Sequence, residues 1–270
     1  MYALDFQYDG IFLSSYNCII CDFDWSGGAV VSQFGSPITF NRASRNYGKV
    51  WSLTGIEYNE CFETSFDICK DPEKDDSKYF TNFEFLRLCK WLRRIDGFHK
   101  FTFMSIDTDI PNCYFNASFN IAKILVQDRI VGARLSMVTD SPYGYGKTEE
   151  IQINTVGLKY TYYEVEDKSM VIGDICPSLR IVCNKDGDFE IRNETNGTSF
   201  TIKGCVSGEI ITFDSSTRMI QSSTGRNLWD NFNYKFLNIS NSLDSNINKI
   251  YISLASNVTI TYEPIVLIGY

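Results

Sequence analysis

The sequence predicts a mainly β protein of two domains, and three observations carry that prediction. Short apolar runs of period two recur along the chain, and in the second half Gly, Asn and Asp separate them at intervals of about ten residues. One segment alone carries helical spacing behind a cap. The length, 270 residues, suits two ordinary domains, each able to bury a core. The expected division is residues 1–140, a linker at 141–148, and residues 149–270.

In the first domain, Val50–Tyr58 places Trp51 and Leu53 on one face, then Ile56 and Tyr58 after a change of parity at Gly55. A β-bulge at Gly55 would produce that change. Phe62, Thr64, Phe66 and Ile68 alternate with Glu63, Ser65, Asp67 and Cys69 as a half-buried strand does. The two runs are expected to form a hairpin turning at Asn59-Glu60.

Thr81-Asn-Phe-Glu84 fits a capping box, in which the Thr hydroxyl accepts from the amide three residues on and Glu84 reaches back. Phe85, Leu88, Cys89, Leu92 and Ile95 follow at helical spacing, and Asp96-Gly97 is expected to close the helix. Arg87, Lys90 and Arg94 fall on the other face, expected to be solvated or to meet an acidic neighbouring subunit. Phe98–Met104, Tyr114–Ile121 and Ile130–Val138 read as further strands, the last with Val131, Ala133, Leu135 and Met137 on one face.

The second domain is nearly all strand. Its alternating pairs are Leu179/Ile181/Cys183, Phe189/Ile191, Phe200/Ile202, Ile211/Phe213, Ile250/Ile252/Leu254 and Val258/Ile260/Tyr262, which predicts an antiparallel sandwich. Asp186-Gly187 and Asn196-Gly197 are hairpin signals.

Between the domains, TDSPYGYGKT at 139–148 ends in the Gly-Lys-Thr of a phosphate-binding loop. Such a loop needs Gly where Ser141 stands, and a helix after it; Glu149–Thr155 instead alternates like a strand and puts two carboxylates where phosphate would sit. The Pro and Gly residues read as turn and linker chemistry.

Catalytic and metal chemistry find no constellation. His99 is the single histidine, on an expected strand, with no nucleophile-elbow motif to accompany it. Cys18-Ile-Ile-Cys21 would put its thiols on opposite faces of a strand, and zinc would need two further ligands. Nine cysteines at irregular spacing argue against a disulfide framework and for partly buried thiols. Asp107-Thr-Asp109 and Asp186-Gly-Asp188 complete no calcium loop and are expected to be turns. The five sequons, at Asn116, Asn193, Asn196, Asn238 and Asn257, are expected to be turn and strand residues. No catalytic, cofactor-binding or metal residue is assigned.

Formal net charge is −8, and each half carries −4, so neither is the basic domain that counterion release from DNA would require. The N-terminus lacks a basic stretch before a long apolar core, and no segment reaches the ~18 apolar residues of a bilayer span. A soluble chain made in the cytoplasm, without membrane insertion, is expected.

The order of segments resembles the distal tail protein family of long-tailed (siphophage-type) phages across almost the whole chain. The resemblance lies at DFQYDGIFLSSYNCIICDF (5–23), KVWSLTGIEYNECFETSFDICK (49–70), FEFLRLCKWLRRIDGFHKF (83–101) and RIVGARLSMVTDSPYGYG (129–146). It continues at GDICPSLRIVCN (173–184), GEIITFDSSTRMI (208–220) and NKIYISLASNVTITYEPIVLIGY (248–270). It implies an N-terminal tail-tube-like β-sandwich or barrel with one flanking helix, and a C-terminal galectin-like jelly roll. It also implies a structural role: a homo-oligomeric ring, six copies around the DNA channel, joining the tail tube protein to the tail-tip or hub protein of the tail-associated lysin type, and able to carry a receptor-binding protein. The implied location is the virion tail tip or baseplate, with no cofactor and no specific nucleic-acid binding. Ser26–Lys49 and Ser105–Asn112 are candidate ring contacts. The alternative is a carbohydrate-binding, lectin-like module in which Trp229 or Tyr234 stacks on a sugar, although the C-terminal half lacks the histidine of a galectin site.

Overall fold

The computed structural model describes residues 3–23, 36–45, 50–58, 61–74, 77–105, 113–156 and 161–267. The chain divides into two units, one of residues 1–145 with 266–270, the other of residues 146–265.

The first unit contains β1 (Ala3–Tyr8), β2 (Ile11–Phe12), β3 (Cys18–Cys21), β4 (Ile38–Arg45), β5 (Val50–Tyr58), β6 (Glu63–Lys70), helix α1 (Asn82–Leu92), β7 (His99–Ser105), β8 (Phe115–Val126) and β9 (Arg129–Thr139). Seven of its strands form one antiparallel sheet in the order β2-β1-β7-β8-β9-β6-β3. Laid flat, the four steps from β1 to β6 would separate them by about 19 Å at the usual strand spacing. Their Phe6 and Phe66 rings lie only 5.8 Å apart, so the sheet curls over itself without closing. Phe101 and Phe119 fill the concave side with them.

Helix α1 caps this core for the reason its sequence supplies. The Thr81 hydroxyl accepts the Glu84 amide, and the Glu84 carboxylate accepts the Thr81 amide at 2.8 Å. Phe85, Leu88 and Leu92 are buried as expected. Two details differ. Ile95 is fully exposed, because Arg93 leaves helical geometry (φ −87°, ψ 72°) and the helix ends a turn before Asp96-Gly97. Trp91, outside the expected stripe, is buried against Tyr16 (centroids 4.8 Å) and Phe6 (5.7 Å).

The expected hairpin between 50–58 and 62–68 does not form. β5 pairs with β4 in a separate two-stranded ribbon, while β6 takes its partners, β9 and β3, from the curled sheet. The irregularity at Gly55 is present: Asn41 faces Gly55 and Arg42 faces Leu53, so the register shifts by one residue there. The turn at Asn59-Glu60 lies outside the described residues.

A short strand, β10 (Gly144–Tyr145), ends the passage through the first unit. The second unit follows with β11 (Glu149–Thr155), β12 (Tyr162–Glu166), β13 (Gly173–Ile175), β14 (Ser178–Cys183), β15 (Gly187–Asn193), β16 (Ser199–Cys205), β17 (Ile210–Asp214), β18 (Met219–Ser222), β19 (Ile239–Asn241), β20 (Ile247–Ile252) and β21 (Ser256–Tyr262), before β22 (Ile265–Val266). A five-stranded sheet, β11-β21-β14-β17-β18, and a four-stranded sheet, β12-β20-β15-β16, supply the faces of an antiparallel sandwich. Every residue of the alternating pairs read from the sequence is buried in its core. β11 is the strand expected after Gly-Lys-Thr, so no helix N-terminus receives a phosphate there.

Of the two hairpin signals, Asn196-Gly197 joins the paired strands β15 and β16, with Gly197 at φ +72°. Asp186-Gly187 does not turn a hairpin: β14 and β15 belong to different sheets, and the dipeptide carries the chain from one to the other. The carboxylates there latch the end of β16 and the turn after it, Asp188 accepting the Gly204 amide at 2.8 Å and Asp186 the Ser207 amide at 2.6 Å.

Candidate assembly surfaces

The ribbon of β4 and β5 carries one apolar and one polar face, because cross-strand partners point the same way. Ile38 opposes Tyr58, Phe40 opposes Ile56, Arg42 opposes Leu53 and Ser44 opposes Trp51. Ile38, Phe40, Leu53, Ile56 and Trp51 thus line one side, and all are exposed, Trp51 to 63%. Thr39, Asn41, Glu57 and Ser52 take the other side. At the base of the ribbon Tyr58 meets Tyr143 edge-on at 5.1 Å. Burial, and then the hydrogen bond with Tyr58, push the Tyr143 phenol up to about 12.

A second apolar surface lies on the outward side of α1. Phe83 (71% exposed) and Leu86 (65%) stand one helical turn apart, and with Ile11, Arg87 and the edge of Trp91 they border an open groove of about 630 Å³. The basic residues on this helix and just beyond its end have different fates. The Arg87 guanidinium lies 5.7 Å from the Tyr16 ring centroid, and Lys90 is exposed beside the groove. Arg94 is taken up locally by ion pairs with Asp9 and Asp96.

That local cluster also places the single histidine. His99 Nε2 lies 3.0 Å from Asp96 Oδ1, and its ring meets Tyr8 edge-on at 5.8 Å. Hydrogen bonds from Arg94 and then His99 hold the Asp96 carboxyl well below its ordinary range. The cluster ties the start of β7 to the Asp9-Gly10 turn, where both residues have positive φ. His99 is thus a strand residue, the first of β7, within an ion network.

Cys18 is buried, and burial pushes its thiol up to about 12; Cys21, on the opposite face of β3, interacts with Cys69 of β6. Among the described residues no group of three His, Cys, Asp or Glu side chains could hold a metal ion. Asp107 and Asp109 lie outside those residues, as do 26–35, 46–49 and 106–112 of the two candidate contact stretches. Asn193 and Asn196 hold a polar network rather than open surface: each donates to the Asn238 carbonyl, and Asn193 also to Asn248 Oδ1 at 2.7 Å. Among the described residues no helix is long and apolar enough to cross a membrane.

β4 lies within the candidate stretch Ser26–Lys49, whereas β5 and the outward side of α1 were not named as candidates, and both surfaces had signals of their own. Ile38-x-Phe40 alternates before a polar stretch, and Phe83 and Leu86 repeat at helical spacing beside the buried stripe.

A curled sheet with one capping helix, followed by an antiparallel sandwich and exposing apolar faces on its first unit, is the build that the comparisons with known proteins place. The chain belongs to the phage tail protein family, whose N-terminal domain matches residues 1–141 and whose C-terminal domain matches residues 143–262. Its fold is that of a distal tail protein. The SPP1 Dit protein (gp 19.1), described as a paradigm of the hub adsorption apparatus in phages infecting Gram-positive hosts, superposes with a TM-score of 0.67. That match covers 96% of this chain and 98% of the other at 12% identity. No curated protein matches the sequence.

Proposed function

We propose that the chain is a distal tail component that closes, as six copies, into a ring between the tail tube protein and the tail-tip hub of a phage. The observation that supports this reading is the pair of exposed apolar surfaces on the N-terminal unit. A cyclic ring uses heterologous contacts, in which one patch meets a different patch on the next copy. The ribbon face around Phe40, Trp51 and Leu53 and the helix groove around Phe83 and Leu86 are two such unlike patches.

The net charge of −8 suits a conduit through which DNA must slide, since an acidic wall does not hold phosphate. The role is scaffolding in the virion tail, after synthesis in the host cytoplasm. A tail-associated lysin type of hub protein, and a receptor-binding protein, are the further partners of this reading.

Light scattering and negative-stain electron microscopy of the purified chain test it. The expected result is a six-fold ring with six times the 30.9 kDa protomer mass. The double variant Trp51→Asp, Leu53→Asp is expected to remain folded and monomeric. A wild-type chain that stays monomeric at its highest soluble concentration would overturn the ring, as would a double variant that assembles normally.

A further inference from the structure

The sandwich unit carries an open basin of about 450 Å³ between the turn after β15, the turn after β17 and the segment 234–238. We propose that this basin binds an acidic saccharide, a sugar bearing a carboxylate or phosphate, with Arg218 and Lys235 holding the anion and Tyr234 stacking on the ring.

Charge supplies the first argument. Arg218 and Lys235 both line the basin, no acidic residue does, and the protein as a whole is −8. Among the described residues neither cation forms an ion pair. Arg218 lies over the Phe236 ring at 4.8 Å and gives one N–H to Cys176 Sγ, a weak acceptor, leaving most of its five donors unclaimed by any carboxylate. The nearest acid in its own turn, Asp214, is occupied by the backbone and hydroxyls of Ser216 and Thr217.

Backbone strain supplies the second. Arg218 and Tyr234 both sit in the left-handed region, at φ +58° and +56°, where side chains with a Cβ are uncommon. Gly would fill either position without strain, so a side chain held there in strained backbone points to a use for it. Tyr234 is 64% exposed and stacks on Trp229, centroids 6.1 Å apart and planes at 23°, which makes a firm aromatic platform at the rim. Sugar C–H faces pack on such rings, and Ser199 and Asn238, which also line the basin, offer hydrogen-bonding groups. The volume suits one or two sugar rings.

Saturation-transfer NMR and calorimetry on the full chain with glucose 1-phosphate and glucuronate, against glucose and inorganic phosphate, provide the test. The acidic sugars are expected to bind at least ~10-fold tighter than either half-ligand, and more weakly as salt rises. Arg218→Gln with Lys235→Gln should abolish that preference. Tyr234→Gly should lose binding while the melting temperature stays level or rises, because it relieves the strained φ; a merely structural tyrosine would not behave so. Equal binding of inorganic phosphate, no binding of acidic sugars, or binding untouched by these variants would overturn the assignment. The ring-forming surfaces lie in the other unit, so this outcome is independent of oligomeric state.

Discussion

Arg226 grips the carboxylate of Glu209 as a fork, Nε to Oε1 at 2.7 Å and Nη2 to Oε2 at 3.1 Å, and the Glu209 side chain is wholly enclosed. The Ser222 hydroxyl and the Val206 amide complete the cage. Burial alone would raise this carboxyl; the hydrogen bonds of Arg226, Ser222 and Val206 outweigh it and hold the group below its ordinary value.

Acid should therefore weaken the sandwich through this group. Because the folded pKa lies below the unfolded value of about 4.3, the stabilisation is fully present above that value and is lost as pH falls through the folded pKa. Thermal melts of wild type and Glu209→Gln between pH 3 and pH 6 are expected to converge at the acid end. Parallel curves would refute it.

Removing the partner reverses the sign. In Arg226→Ala the buried carboxylate loses its counter-charge, at a cost of about 3–5 kcal/mol at neutral pH. Its pKa then rises above the unfolded value, so the deficit should shrink as the pH is lowered, the opposite of the wild-type trend. Urea titrations at two pH values measure both.

Trp91 joins α1 to the curled sheet. Its ring stacks on Tyr16 and Phe6, and Nε1 donates to the Tyr8 carbonyl at 3.3 Å. Trp91→Ala is expected to cost about 3–5 kcal/mol. Phe83→Ala on the exposed side should change unfolding of the isolated protomer by no more than ~0.5 kcal/mol. Chemical denaturation of the two variants separates packing from surface.

Gly132 in β9 allows a close backbone approach inside a sheet. A Cβ there would stand 2.6 Å from the Ile68 carbonyl oxygen and 2.7 Å from the Phe23 ring. The ring can turn, but the carbonyl belongs to the pairing of β6 with β9. Gly132→Ala is expected to destabilise by about 1–3 kcal/mol, read as a lower denaturant midpoint.

The sandwich was legible because each strand has one dry and one wet side, so Leu179/Ile181 and Val258/Ile260 announce themselves by alternation. The capping box was legible for a similar local reason. The partner of Val50–Tyr58 was not, since pairing is a long-range choice and alternation does not say which strand lies opposite. Asp186-Gly187 marks a turn but not whether the chain stays in one sheet. Ile95 kept the helical period after the backbone had left it. Of the basin only Tyr234 was named from the sequence, as a residue that could stack on a sugar; nothing in the residue types of Arg218 or Tyr234 reveals a left-handed backbone, and their meeting depends on separate turns.

The chain enters the sandwich after Tyr145 and quits it at Ile265, and the Gly146 amide bonds the Pro264 carbonyl at 2.8 Å. Entrance and exit of that unit are thus neighbours, held also by the pairing of β10 with β22 and of β11 with β21. A module with such a doorway can be replaced by another of unlike size while the first unit keeps both of its own chain ends. Val266, buried in the first unit's core, ensures that the return journey is part of the fold of its host. That geometry lets the sandwich unit diverge while the fold of the first unit stays constant.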